Sequence, residues 1–350
     1  MKQDYIIGWD IGGAHVKAAL IDSDGLLCRT QQLACPLWLG VDHLRAAVEQ
    51  VMQSLDDVDV RHAVTMTGEL ADIFSSRAEG VACIVDVMTQ KFRADRVKVF
   101  AGASAYLAPE QAKDAVNEIA SANWLATTYW ASRKMPQGLL VDIGSTTTDL
   151  IPFADQRVLA RGYNDHERLR HDELLYSGIV RTPVMALAQR APLHGEWIGM
   201  MAEVFATSAD IYRILAKLPE HADHYPAADQ GEKTVTASER RLARMLGMDA
   251  EQADSDSWYQ LAQYFEECQL RSIMDAAARV LSQDCIGHNS ALVGAGVGRF
   301  LVKMLAARMQ RQYMDFNDLI ECRSEAEGVF DAADCAPAVA VAALMQLDSL

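Results

Sequence analysis

The chain has 350 residues, 50% of them hydrophobic and 23% charged, with a formal net charge of −16 at pH 7. That length carries two ordinary domains with their own cores, and the composition excludes disorder and low complexity. The acidic balance excludes nonspecific binding to nucleic acid or to an anionic membrane, since both reward basic faces, while leaving room for a local basic pocket for a phosphorylated small molecule.

In chain order, residues 5–9 are an apolar strand, residues 10–14 a turn and residues 16–22 the returning strand. Ser23-Asp24-Gly25 is a D-G hairpin turn, so residues 26–33 form a third strand. Leu44, Val48, Val51, Met52 and Leu55 lie at helical spacing and predict a helix over 42–55. A strand at 62–66, a helix around 81–88 and a strand at 97–100 follow. One long helix is expected over 109–133, with proline near its start, where proline is tolerated.

Residues 138–153, GLLVDIGSTTTDLIPF, then repeat the opening pattern: an apolar strand ending at an aspartate, a glycine turn and a strand running back. Aligning Asp10 with Asp142, 132 residues apart, matches Ile11 with Ile143 and Gly12 with Gly144 and sets Lys17 opposite Asp149. Residues 157–161 pair back as a third strand of this second set. Helices are expected over 179–190, 197–205, 208–218, 238–246 and 256–281. A strand at 291–293 leads into a turn bearing Gly294, Gly296 and Gly298, then a helix over 299–309. A last strand and an apolar helix within 332–347 close the chain.

The paired hairpins are the chemical signal. Glycine lets the main chain approach a ligand and aim N–H groups at it. Gly12, Gly13 and Gly144, with the hydroxyls of Ser145, Thr146 and Thr147, are therefore candidate phosphate ligands. Asp10 and Asp142, at strand ends, are candidate Mg²⁺ ligands. Lys17 would neutralise phosphate charge, and Asp149 would act as a base or hold metal-bound water. Gly294, Gly296 and Gly298 suit a nucleotide's ribose and base, or an anion at the following helix N-terminus. Arg168 and Arg181 are candidate anion ligands, and Asn123, inside the long helix, reads as a core residue or a cleft residue. His221, Asp223, His224 and Asp229 fit no standard zinc spacing. Seven cysteines without a C-x-x-C pair suit a reducing compartment. With no signal-peptide shape and no apolar run of roughly 18–20 residues, a cytoplasmic location is expected.

The repeated βββαβα unit resembles the actin/hexokinase/Hsp70 superfamily, an α/β fold made of two ribonuclease-H-like halves that clasp a phosphorylated ligand. The first domain is expected over 1–135 and the second over 136–350, meeting near Met135-Pro136-Gln137, with a helical insertion in the second half at about 178–285.

Several stretches resemble a narrower family: GWDIGGAHVKAA, ASANWLAT, VDIGSTTTDLIP, LLYSGIVRTPVMAL, EVFATSADIYRILAKLPE, SERRLARMLGMD and LVGAGVGRFL. Together they are similar to the hydantoinase/oxoprolinase-A-related proteins linked to tetrahydromethanopterin-dependent one-carbon transfer in methanogens and methylotrophs. The resemblance implies a synthase of methanofuran-type cofactor biosynthesis. Its substrates would be an aminomethylfuran-methyl diphosphate and the phenol of a tyramine or tyrosine derivative. An ether forms, diphosphate leaves, and Mg²⁺ is expected beside it. The wider fold implies the alternative of an ATP-dependent kinase or hydantoinase-like enzyme with adenosine at the glycine turn, and a non-catalytic scaffold is a third reading. The oligomeric state is left open.

Overall fold

The computed structural model describes residues 5–53, 60–104, 106–327 and 331–348. Its elements are β1 (Tyr5–Ile11), β2 (His15–Ile21), β3 (Leu27–Ala34), α1 (Asp42–Gln53), β4 (Val60–Met66), α2 (Arg77–Lys91), β5 (Val97–Phe100), β6 (Tyr106–Leu107), α3 (Pro109–Ala112), α4 (Val116–Ile119) and α5 (Asn123–Lys134) in the first half. There follow β7 (Gln137–Ile143), β8 (Thr148–Ala154), β9 (Arg157–Val158), α6 (Asp165–His171), β10 (Leu174–Leu175), β11 (Arg190–Leu193), β12 (Glu196–Gly199), α7 (Ser208–Ile214), α8 (Val235–Met245), α9 (Ser255–Leu281), β13 (Ala291–Ala295), α10 (Arg299–Arg308), β14 (Tyr313–Asp315), β15 (Cys322–Glu327) and α11 (Ala336–Leu347).

The first sheet runs β15-β3-β2-β1-β4-β5-β6 and the second β10-β8-β7-β13-β14, with β9 also on β8. In each, an antiparallel hairpin begins the unit and a later strand pairs in parallel with its first strand: β4 with β1, β13 with β7. The two halves are therefore copies of one ribonuclease-H-like sheet. β1 and β7 are apolar along nearly their whole length because helices cover both faces. α5 and α11 share one core between the sheets, with Trp124, Phe153 and Val339. α1 and α2 cover the outer face of the first sheet, and α7, α9 and α10 that of the second. No helix among the described residues is long and apolar enough to cross a membrane.

Several expected elements differ. The helix over 109–133 is three short ones. Ala120 leaves the helix to bridge Met66 on β4, and Ser121 adopts a left-handed φ of 54°. The helix over 179–190 is absent: the N–H groups of Ile179, Val180 and Arg181 bond the second hairpin, that of Val184 bonds Ala206 O, and Arg190 opens β11. Residues expected as a helix over 197–205 begin with β12, which forms a two-stranded ribbon with β11; its tip residues His194 and Gly195 both have positive φ. The helix from 208 stops at Ile214, and Ala216 at φ 53° keeps it from resuming. The third strand of the second set is split between β9 and β10, both on β8. The helix over 42–55 is seen to Gln53; residues 54 and 55 lie outside the described residues. After β14 the chain crosses back. β15 pairs in parallel with β3, and α11 packs on β1, which brings these two elements to the first sheet.

α11 is apolar on nearly every side and is buried accordingly. Its seat on β1 requires Gly8, where an added Cβ would fall 1.9 Å from the Ala338 carbonyl oxygen. Gly8→Ala is expected to lower stability by about 1–3 kcal/mol through overpacking. Urea denaturation measures this, and an unchanged midpoint would mean that α11 does not bear on β1 here.

Candidate functional site

The two hairpin turns face one another across a cleft of about 610 Å³. Each is closed by the same backbone bond: Gly12 N–H donates to His15 O at 2.9 Å, and Gly144 N–H to Thr147 O at 2.9 Å. Asp10 is the register partner of Lys17 on β2, and Asp142 that of Asp149 on β8. The expected superposition of Lys17 on Asp149 is thus realised in the pairing itself. Gly13, Ser145, Thr146 and Thr147 also line the cleft.

The second turn is braced from behind. Ile179 N–H donates to Gly144 O at 3.1 Å, and Val180 and Arg181 N–H both donate to Ser145 O, at 3.0 and 2.9 Å. Thr148 Oγ1 donates to Ser177 O at 2.6 Å, and Thr182 Oγ1 to Gly178 O at 3.1 Å. The S-G-I-V-R-T stretch is therefore a backing strip for the hairpin, and it delivers Arg181 to the cleft edge.

Asp10 is 6% exposed, and its Oδ1 has no protein partner. Asn123 hydrogen-bonds its carboxylate. Asn123 stands not inside a long helix but at the first position of α5, just after the left-handed Ser121. Ser121 Oγ lies 3.1 Å from Glu69 Oε1 and 3.4 Å from Asp165 Oδ2. Asp149 pairs with Arg168, whose guanidinium also lies 3.6 Å from Asp165 and 4.4 Å over the Trp124 ring. Arg77 joins Asp165 at 3.0 Å.

Burial raises Asp10, against the nearby Lys17 cation and the Asn123 hydrogen bond. Asp142 is pushed up to about 7 by burial and then by the Asp149 charge, with Lys17 opposing. Asp149 is raised by burial in spite of Arg168. Burial works against the Lys17 cation, yet Asp10 first, with Cys335, Asp142 and Asp334, outweighs it and holds the ammonium above its usual range.

The glycine turn after β13 is not brought to the cleft. Gly294, Gly296 and Gly298 are buried. Gly296 N–H donates to Ala333 O and Gly298 N–H to Ile143 O, each at 2.8 Å. Gly296 has φ 77°, and a Cβ there would lie 2.4 Å from Asp142 Oδ1. The glycines let this turn pack beneath the second hairpin. Arg299 then covers it, bonded to Asp315 at 3.2 Å, to Asp334 at 2.5 Å and to Asp331. The four residues at 221–229 do not converge either: His221 bonds Asp334, Asp223 pairs with Arg213, His224 with Gln32 and Asp229 with Arg241. Among the described residues no group of three His, Cys, Asp or Glu is arranged to hold a metal. Mg²⁺ needs no such cage, because it binds through one or two carboxylates plus phosphate oxygens and water, and the orphaned Asp10 Oδ1 in the cleft fits that use.

Sequence reasoning missed His15, Trp38, Glu69, Ser121 and Asp165. All but Glu69 line the cleft. The signal available was a tryptophan in a short loop, PLWLG, directly after a strand. A second, more open groove of about 840 Å³ runs along α9, where Arg271 pairs with Asp275, Arg279 with Asp172 and Arg308 with Glu267.

The sequence profile described as hydantoinase/oxoprolinase matches residues 61–346. The (4-{4-[2-(gamma-L-glutamylamino)ethyl]phenoxymethyl}furan-2-yl)methanamine synthase of Methanocaldococcus jannaschii is 34% identical over 252 residues, 72% of this chain and 74% of that one. The synthase of the same name from Methanococcus vannielii is 31% identical over 165 residues, 47% of this chain and 72% of that one. Among solved structures, nucleotide-free acetone carboxylase superposes with a TM-score of 0.52 at 9% identity, covering 97% of this chain and 70% of that one; this likeness shows the fold alone.

Glu69 yields a test of the cleft's support. It is 1% exposed, its Oε2 is unpartnered, and burial pushes its carboxyl up to about 6 from 4.5. The folded state thus holds this proton more tightly than the unfolded chain. Stability carries no penalty below pH 4.5, falls as pH rises from 4.5 to about 6, and stays lower above that. Glu69→Gln keeps an acceptor for Ser121 without the charge. It is expected to be about 2 kcal/mol more stable than the parent near neutral pH and no more stable in acid below that window. Urea titrations at both pH values check this, and an equal offset at the two would refute it.

Proposed function

The chain belongs to the hydantoinase/oxoprolinase family, and from that premise we propose that it is an alkyl transferase of methanofuran-type cofactor biosynthesis. It joins an aminomethylfuran-methyl diphosphate to the phenol of a tyramine or tyrosine derivative and releases diphosphate. The observation that carries this reading is the 34% identity to the M. jannaschii synthase over 74% of that protein. In this reading the enzyme is cytoplasmic and serves tetrahydromethanopterin-linked one-carbon transfer in methylotrophic or methanogenic metabolism.

The cleft suits the reaction. The bond between the furan methylene and the diphosphate oxygen breaks, with the electron pair leaving on diphosphate, while the furan ring supports the positive charge on the methylene. The phenol oxygen forms the new C–O bond. Lys17, the hydroxyls of Ser145, Thr146 and Thr147, and the Gly12, Gly13 and Gly144 main chain meet the charge growing on the leaving group. The phenol proton passes to Asp149. Arg168 holds its Oδ1, which leaves Oδ2 for the proton. Asp10 and Asp142 would hold Mg²⁺, Asp10 through its orphaned oxygen. When bound, that ion supplies further countercharge to diphosphate. ATP has no part in this reading, since the turn expected to take adenosine is buried beneath Arg299.

Incubation of the purified protein with the furan-methyl diphosphate and tyramine-type phenols is expected to give ether and diphosphate in equal amounts without ATP, read by mass spectrometry and a diphosphate assay. Lys17→Ala is expected to lower kcat about 100-fold or more. A strict requirement for ATP hydrolysis would overturn the transferase reading.

A further inference from the structure

The cleft has a second wall that the diphosphate chemistry leaves unused. Trp38, in the loop after β3, lines it half-buried. Its ring lies 5.1 Å from that of Tyr225, which lies 5.4 Å from His15. Tyr225 comes from the insertion in the second half and donates its hydroxyl to Ala14 O, so the insertion fixes this aromatic wall onto the first hairpin. His15 is 9% exposed, and its Nε2 has no partner. Burial, followed by the charges of Lys17, His224 and Arg181, keeps its ring neutral.

Arg181 completes the wall. Its backbone is pinned to Ser145 O, and its guanidinium lies 5.6 Å over the Trp38 ring. In a cleft lined with carboxylates it makes no ion pair among the described residues, whereas Arg168 pairs with Asp149 and Asp165. An exposed guanidinium over an indole, with an unpaired buried imidazole nitrogen nearby, suits an aromatic molecule with an anionic end.

We propose that Trp38, Arg181 and His15 form the acceptor subsite and that Arg181 is the residue that recognises a carboxylate on the tail of the phenol. The ring lies along Trp38, the carboxylate pairs with Arg181, and His15 Nε2 bonds a polar group of the acceptor. This rests on the transferase reading above.

The test compares a tyramine derivative bearing a free carboxylate with the same phenol carrying a carboxamide. Wild type is expected to favour the carboxylate. Arg181→Ala is expected to raise the KM for the carboxylate acceptor about 10- to 100-fold, to leave the KM for the diphosphate substrate unchanged and to abolish the preference, with Arg181→Lys restoring part of it. Trp38→Ala is expected to raise KM for both acceptors. Equal loss on both acceptors in Arg181→Ala, or a rise in the diphosphate KM instead, would overturn the subsite. If wild type makes no ether from either phenol, the transferase reading fails. Calorimetric binding of the carboxylate phenol then decides the subsite by itself: binding lost in Arg181→Ala sustains it, and binding equal to wild type, or absent from wild type, overturns it.

Discussion

A half-buried lysine in a cleft with carboxylates from three parts of the chain ties the surroundings together. Lys17 on β2 faces Asp10 across the first hairpin and feels Asp142 from the second half and Asp334 from the segment that leads into α11. Removing such charges from water costs several kcal/mol each unless the geometry compensates. The favourable charges here come from both hairpins and from the returning C-terminal segment. They act beside the apolar core that α5 and α11 share between the sheets.

The same duplication was then used asymmetrically. At the position where the first hairpin carries Lys17, the second carries Asp149, which puts two carboxylates in register with no cation on either strand. Arg168 on α6 supplies the missing charge from outside the sheet, itself stacked on Trp124 at the start of α5. The cleft thus retains more carboxylates than cations. An anionic ligand such as diphosphate is compatible with that balance when a divalent cation accompanies it, as the proposed use of the unpartnered Asp10 oxygen would have it.

What could be read in the chain follows the range of the forces involved. The hairpins were legible because strand, turn and return are local and because the repeat displays the pattern twice. The 132-residue offset between Asp10 and Asp142 gave the register of both. The break at Ser121 was not legible, since residues 109–133 have sound helical spacing and the competing bonds come from Met66 and Glu69, more than fifty positions earlier. The N–H groups of residues 179–181 likewise bond the second hairpin rather than one another. The return of β15 and α11 to the first sheet left no trace in periodicity. Only the nearly uniform hydrophobicity of α11 marked it as an enclosed helix, without saying which sheet encloses it.

The glycine turn after β13 shows how one motif can serve two ends in this fold. A strand–glycine–helix turn offers main-chain N–H groups to a ligand only if they are free and open to the cleft. Here those of Gly296 and Gly298 are bonded within the protein, and Arg299 holds Asp315, Asp331 and Asp334 across the turn. Asp334 also bonds His221 and weighs on Lys17. A nucleoside entering here would have to separate a guanidinium from three carboxylates, and in doing so would disturb the charge that holds Lys17 in the clamp. Closing the turn and setting the clamp's charge are consequences of one network. The cleft's wall beyond the clamp lies instead on the side of Trp38 and Arg181.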